Sequence, residues 1–204
     1  AARQAGSYTP PRVAAMVGFG SGVTAGAALT WPLERLDVVE IEAAMLDASR
    51  AFDPHNHAAI DDPRIRVVES DGRNFLEYTD EKYDVIVSEP SNPWIAGVAS
   101  LFTQEHFLRA RHKLRPGGVF CQWVQLYEMR PENVARVVKT FRAAFPHTLA
   151  FSSQPKGTDL ILIGSEDPVL LQARGLPASF SDRSVRSELV RASIYDADDI
   201  SALL

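Results

Sequence analysis

The sequence predicts one doubly wound α/β domain, a seven-stranded and mostly parallel sheet with helices on both faces. Three observations carry that prediction. Short apolar runs alternate with helix-length amphipathic stretches from end to end, which is the pattern of a parallel sheet covered on both sides. A glycine-rich turn, Gly18 to Gly22, joins the first apolar run to the first helical stretch. Acidic residues then stand at or just beyond the ends of the second, third and fourth runs, at Glu40, Asp71 and Glu89.

In chain order, strands are expected at 12–18, 36–41, 64–69, 83–88 and 118–125, with two more near 148–153 and 158–164. Helices are expected at about 22–30, 42–52, 72–78, 101–113 and 131–144. Pro131 suits the first turn of its helix, where a missing N–H has no intrahelical partner to lose. Pro116-Gly117-Gly118 is expected to stop the preceding helix and turn the chain into the fifth strand. Residues 1–165 therefore read as one Rossmann-like domain. Residues 166–204, with weak helical periodicity, read as a C-terminal helical extension of that domain.

Bulk properties narrow the function classes. At 204 residues and 46% hydrophobic composition, the chain can bury roughly 70% of its unfolded surface, enough for one sizeable core. A net charge of -5 argues against nucleic acid, whose binders carry a basic face. A cationic small molecule fits that balance better. Cys121 is the single cysteine, so no intrachain disulfide forms and a reducing, cytoplasmic setting is the simpler reading. No apolar run approaches the ~20 residues of a membrane span, and the start lacks a signal-peptide pattern. Ala1 to Pro11 is polar and leads straight into a strand, as in a domain cut from a longer protein.

The residues that carry chemistry lie at strand ends. In Gly18-Phe19-Gly20-Ser21-Gly22 the glycines let the backbone turn sharply and approach a ligand, while the following helix offers unpaired N–H groups. A tight strand-to-helix turn without a ligand has the same look. Glu40 stands about twenty residues beyond the first glycine, where Rossmann-like nucleoside folds place a carboxylate that accepts from ribose hydroxyls. Glu42 is expected to open the next helix. Asp71, followed by Gly72, suits both contact with an adenine amino group and capping of the short helix that follows. In Ser88-Glu89-Pro90-Ser91-Asn92-Pro93-Trp94 two prolines hold Glu89 and Asn92 in extended geometry, at the place where open α/β sheets put reacting groups. A rigid surface loop is the bland alternative.

Other constellations are weaker. His55-Asn56-His57 lacks further ligands at a useful spacing and reads as a polar loop with no metal. His106 and His112 lie six apart on a predicted helix and do not share a face. No Gly-x-Ser-x-Gly elbow occurs, which disfavours a hydrolase triad.

From about residue 12 to 146 the sequence resembles spermidine synthase and related polyamine aminopropyltransferases, within the S-adenosylmethionine-dependent methyltransferase fold. The resemblance rests on Gly18 to Gly22, Glu40, Asp71-Gly72-Arg73, Tyr83 to Pro93 and Pro116 to Gln122. The wording of Ser88 to Trp94 and of Gly22 to Gly26 is similar to a bacterial subgroup fused to a membrane-embedded region. The resemblance implies a nucleoside site built from Gly18, Gly20, Ser21, Gly22, Glu40, Asp71 and Gly72, with Glu89 as proton acceptor and Asn92 and Gln122 toward the amine. Gln122 equally suits a satisfied core polar group.

It implies decarboxylated S-adenosylmethionine, or S-adenosylmethionine itself, as co-substrate, a small amine as partner, no metal, and a fold that admits a homodimer. Two departures bear on the substrate: Ser21 and Asn92 stand where the family has aspartates. Both remove negative charge from a pocket for cations. The family's small N-terminal β-domain has no counterpart in these residues. Methyl transfer from S-adenosylmethionine and a non-catalytic nucleoside-binding module are the alternatives.

Overall fold

The computed structural model describes residues 10–91, 95, 97–152, 157–168 and 181–203. Its centre is a seven-stranded sheet. The strands are β1 (Val13–Val17), β2 (Arg35–Glu40), β3 (Ile65–Glu69), β4 (Tyr83–Ser88), β5 (Leu114–Gln125), β6 (His147–Ser152) and β7 (Asp159–Ser165). Their spatial order is β3-β2-β1-β4-β5-β7-β6, with β7 antiparallel to both neighbours and the remaining pairs parallel. From β1 the chain builds outward through β2 and β3, then returns to place β4 on the other side of β1. That reversal opens a crevice at the carboxyl ends of β1 and β4, where doubly wound sheets hold their ligands.

Two apolar layers hold the sheet. On one face Met16, Leu36 and Val38 pack with Ala25 and Leu29 of α1 (Val23–Leu29). On the other, α4 (Gly72–Tyr78), α5 (Gln104–His112) and α6 (Pro131–Ala144) cover Ile86, Phe120, Val124 and Leu162. Phe107, Phe120, Phe141 and Phe145 meet there with ring centroids 4.8–6.0 Å apart. Each such side chain contributes about 1.5–3 kcal/mol of burial free energy. This aromatic cluster anchors β4 and β5 beneath the crevice.

Two expectations need correction. The stretch expected as one helix over 42–52 is broken into α2 (Ala43–Ala48), a 3-10 turn at Ser49–Phe52, and α3 (Asp53–Asn56). Ser49 Oγ donates to the Leu46 carbonyl at 2.6 Å, diverting an acceptor that an unbroken helix uses. Pro54 then sits in the first turn of α3. Pro116-Gly117-Gly118 is not the turn out of the preceding helix. It lies inside β5, where the register moves from Tyr83 opposite Leu114 to Val85 opposite Val119. The residues are absorbed as a register irregularity against β4, ahead of Val119 where pairing with β7 begins.

The expected helix over 101–113 starts with a 3-10 turn at Val98–Phe102, and Thr103 caps α5 by accepting from the His106 N–H. In the tail, α7 (Arg183–Arg191) and α8 (Ala197–Ser201) follow. The first docks on the α1 layer: Ser184 Oγ donates to the Thr30 carbonyl, and Arg191 to the His55 carbonyl.

Candidate nucleoside and amine site

The glycine turn sits at the carboxyl end of β1, and its residues have separate physical reasons. Gly18 has φ +88°, and a Cβ there would lie 2.8 Å from the Glu89 carbonyl oxygen. The backbone N–H of Glu89 donates to the Val17 carbonyl at 2.9 Å. The glycine turn and the Glu89 segment are therefore in direct contact, although they are far apart in sequence. Gly20 has φ +53°, and no atom lies within 4 Å of where a Cβ would project, so this face of the turn is open. Gly22 precedes α1 in a left-handed conformation, under the Phe19 ring.

Asn56 fixes this turn from behind, a role that its polar surroundings in sequence conceal. It is fully buried, and its Nδ2 donates to the Ser21 carbonyl at 2.9 Å and the Ser49 carbonyl at 3.1 Å. Gly26 permits the approach, since a Cβ there would lie 2.1 Å from the Asn56 carbonyl oxygen. His57 pairs with Glu188 of α7. The His55-Asn56-His57 stretch is thus scaffolding between α1, α3 and α7.

Glu40 is buried at the end of β2. Its Oε2 accepts from the Phe19 N–H at 2.9 Å, and its Oε1 from Ile41 and Glu42 at 2.9 and 3.1 Å. Three of about four lone-pair sites are used. Glu40 thus ties the glycine turn to β2 and keeps capacity for one more donor. Glu42 caps α2 by accepting from Ala44. Asp71 caps α4 through Oδ1, which accepts from Arg73 and Asn74 at 2.8 and 3.1 Å. Its Oδ2 accepts from no described residue, so capping leaves one oxygen for a ligand. Gly72 is buried where a Cβ would run into Val17 Cγ1 at 2.3 Å, which accounts for it by packing.

The β4–β5 side differs. Burial raises the proton affinity of Glu89 above the usual carboxylate range, partly offset by a hydrogen bond from the Thr24 hydroxyl of α1. Burial, with the Glu89 charge as a smaller cause, pushes the Cys121 thiol up to about 12. Gln122 is fully buried; its Nε2 donates to the Trp123 carbonyl at 2.9 Å and the Ser88 carbonyl at 3.3 Å. Gln122 Oε1, Ser88 Oγ and both ring nitrogens of His106 are buried without a partner. Gln122 is thus half satisfied, between the two roles open to it in sequence. Asn92 lies outside the described residues.

No three His, Cys, Asp or Glu among the described residues group as metal ligands. No helix among them is long and apolar enough to cross a membrane. A groove of about 890 Å³ along α6, lined by Met129, Val134 and Val138, shares no residue with these strand ends.

Residues 4–173 match the spermine/spermidine synthase domain. A polyamine aminopropyltransferase of Serratia proteamaculans is 42% identical over 145 residues, covering 69% of this chain and 50% of that protein. Putrescine N-methyltransferase 2 of Nicotiana tabacum is 28% identical over 202 residues, covering 95% of this chain and 57% of that protein. A crystal structure of spermidine synthase with the transition-state analogue AdoDATO superimposes with a TM-score of 0.70 at 22% identity, over 78% of this chain and 57% of that one. The chain spans about half the length of the curated relatives it matches.

Proposed function

Because the chain belongs to the spermine/spermidine synthase domain family, we propose that it moves an aminopropyl group from decarboxylated S-adenosylmethionine to an amine acceptor, with Glu89 as proton acceptor. The observation that carries this reading is a carboxylate of raised proton affinity whose backbone rests against the glycine turn. Glu40 would hold the ribose through its remaining lone pair, and Asp71 Oδ2 would accept from the adenine amino group. Gly20 leaves room for the nucleoside beside the turn.

The sulfonium supplies an activated carbon and a neutral leaving group. The amine nitrogen forms its bond to that carbon as the carbon–sulfur bond breaks and methylthioadenosine departs. The proton lost by the nitrogen passes to Glu89, whose burial favours accepting it. Holding nitrogen, carbon and sulfur in line supplies much of the remaining acceleration. Gln122 Oε1, still without a donor, and Asn92 are the groups proposed to face the amine.

Methyl transfer from S-adenosylmethionine is the second reading. The likeness to a putrescine N-methyltransferase over 95% of the chain favours it, as does Ser21, which puts no charge against a ligand carboxylate. The proposal includes a cytoplasmic location, supported by the single cysteine, and attachment to a membrane region, supported only by the wording of Ser88 to Trp94 and Gly22 to Gly26.

The test is incubation with each nucleoside and a diamine panel, followed by mass spectrometry. Methylthioadenosine with an aminopropylated amine supports the first reading, and S-adenosylhomocysteine with a methylated amine supports the second. Neither product, together with a thermal shift on adding nucleoside, points to a binding module. Ligand at about 100 times its dissociation constant adds about 2.7 kcal/mol to stability.

A further inference from the structure

Glu89 stands at the head of an apolar strip that proton transfer alone does not need. Alternate side chains of a strand share a face, so Val85, Val87 and Glu89 form one row about 13 Å long. The row lies on the α1 side of the sheet: Val85 pairs with Ala14 and Val87 with Met16, and all four line one cavity. Glu89 continues that ladder, because its N–H donates to the Val17 carbonyl at 2.9 Å, as the next parallel bond does.

The cavity has a volume of about 290 Å³, with Ala28 of α1 and Trp31 just after that helix among its walls, and every residue that lines it is apolar. Beside the row, β5 places Val119 opposite Val85, Cys121 opposite Val87 and, one step on, Trp123 beside Glu89. These β5 residues and Glu89 are half-buried, which leaves part of each open to a ligand. An ammonium at Glu89 meets a carboxylate and, from Trp123, an indole that attracts an alkylated cation. The carbon chain behind it runs over Val87 into the cavity. A methylene chain gains by that burial, whereas a second ammonium would lose its water without finding an acceptor.

We propose that the acceptor is a monoamine with an apolar tail, its ammonium held at Glu89 and its tail in the cavity between β1, β4 and the end of α1. This rests on the transfer reading above and names the substrate class for it. Ser21 and Asn92 accord with it, since neither supplies a second carboxylate for a second ammonium.

Calorimetric titration of the chain, in the presence of methylthioadenosine, with the straight-chain amines from butylamine to octylamine and with the diamine of each length tests this. Affinity is expected to rise about fourfold per methylene until the cavity is filled, and octylamine to bind at least about tenfold more tightly than its diamine. Val85→Phe fills the cavity and is expected to weaken octylamine by more than about tenfold while leaving butylamine within about twofold. Ala28→Leu fills it from the helix side and gives the same readout should the strand variant not fold. Glu89→Gln is expected to weaken the whole series about tenfold and to keep the gain per methylene. Affinity that is flat with chain length overturns the proposal, as does a diamine that binds as tightly as its monoamine. So does octylamine that binds the cavity-filling variants, or Glu89→Gln, as tightly as wild type. Methylthioadenosine is also titrated alone. Its failure to bind removes the nucleoside reading, whereas a flat amine series beside normal methylthioadenosine binding removes the tail site only.

Discussion

The two halves of the crevice are built on opposite principles. On the β1–β2–β3 side the carboxylates are satisfied by the chain itself: Glu40 accepts three backbone N–H groups, and Asp71 accepts two. On the β4–β5 side Glu89 is desolvated, while Ser88 Oγ, Gln122 Oε1 and the His106 nitrogens lack partners. The first half is rigid before any ligand arrives. The second carries unfavourable burial that a ligand can relieve. A binding platform gains from preorganisation, whereas a proton acceptor gains from a site that disfavours its charge.

Substitutions should therefore behave differently in the two halves, and the largest effect is expected at Glu89. Glu89→Gln should lower turnover by about 10²–10⁴-fold, measured by methylthioadenosine release, while the melting temperature stays level or rises. The base must be unprotonated, so wild-type rate should rise with pH through a value above the ordinary glutamate range. The stability effect has the matching sign. A raised carboxylate pKa favours the folded state below the unfolded-state value, and that contribution is lost as pH rises through the folded-state value. The stability advantage of Glu89→Gln should thus widen from mildly acidic to neutral pH. Wild-type turnover in the Glu89→Gln protein would remove the asymmetry.

Glu40→Ala should act on scaffold and ligand together. It orphans the Phe19, Ile41 and Glu42 N–H groups, so a loss of about 3 kcal/mol in chemical denaturation is expected, besides the loss of nucleoside-dependent thermal shift. An undisturbed denaturation midpoint would show that the glycine turn does not depend on this carboxylate. His106→Phe should do the reverse and raise unliganded stability by about 1 kcal/mol, since it deletes two buried, unpaired nitrogens. The smallest effects are expected at the positions that lack the family's aspartates. Asn92→Asp should improve putrescine affinity several-fold, and Ser21→Asp should shift preference from S-adenosylmethionine toward its decarboxylated form. Both should shrink as salt rises. Calorimetric titration at two ionic strengths checks them, and an effect insensitive to salt would contradict a charge origin.

The contrast between halves also marks what sequence reading reaches. Glu42 and Asp71 were legible as helix caps because those hydrogen bonds are local to a helix start; the position of Glu40 at a strand end was legible, but its bond to the Phe19 N–H, 21 residues back, was not. Asn56 was not legible: its partner is the Ser21 carbonyl, 35 residues away, and nothing in His55-Asn56-His57 signals that. Nor was the burial of His106, because a histidine in the first turn of an amphipathic helix has the same appearance whether it faces water or aromatic rings. The placement of Pro116 to Gly118 inside β5 depended on the flanking Leu114 and Val119 pairing with β4, which a local turn signal cannot report.

The sequence by itself determined the alternation of strands and helices, the seven-stranded sheet, the crevice-forming glycine turn and the acidic residues at strand ends. Those follow from periodicity and backbone chemistry, which act over a few residues. Only the tertiary structure decided that Gly18 touches the Glu89 backbone, that burial acts on Glu89, and that Asn56 braces the turn from behind. Only it separated the satisfied carboxylates from the desolvated one. Desolvation and close approach are set by which distant segments exclude water from a group, and that exclusion exists only once the sheet has brought β1, β4 and β5 side by side.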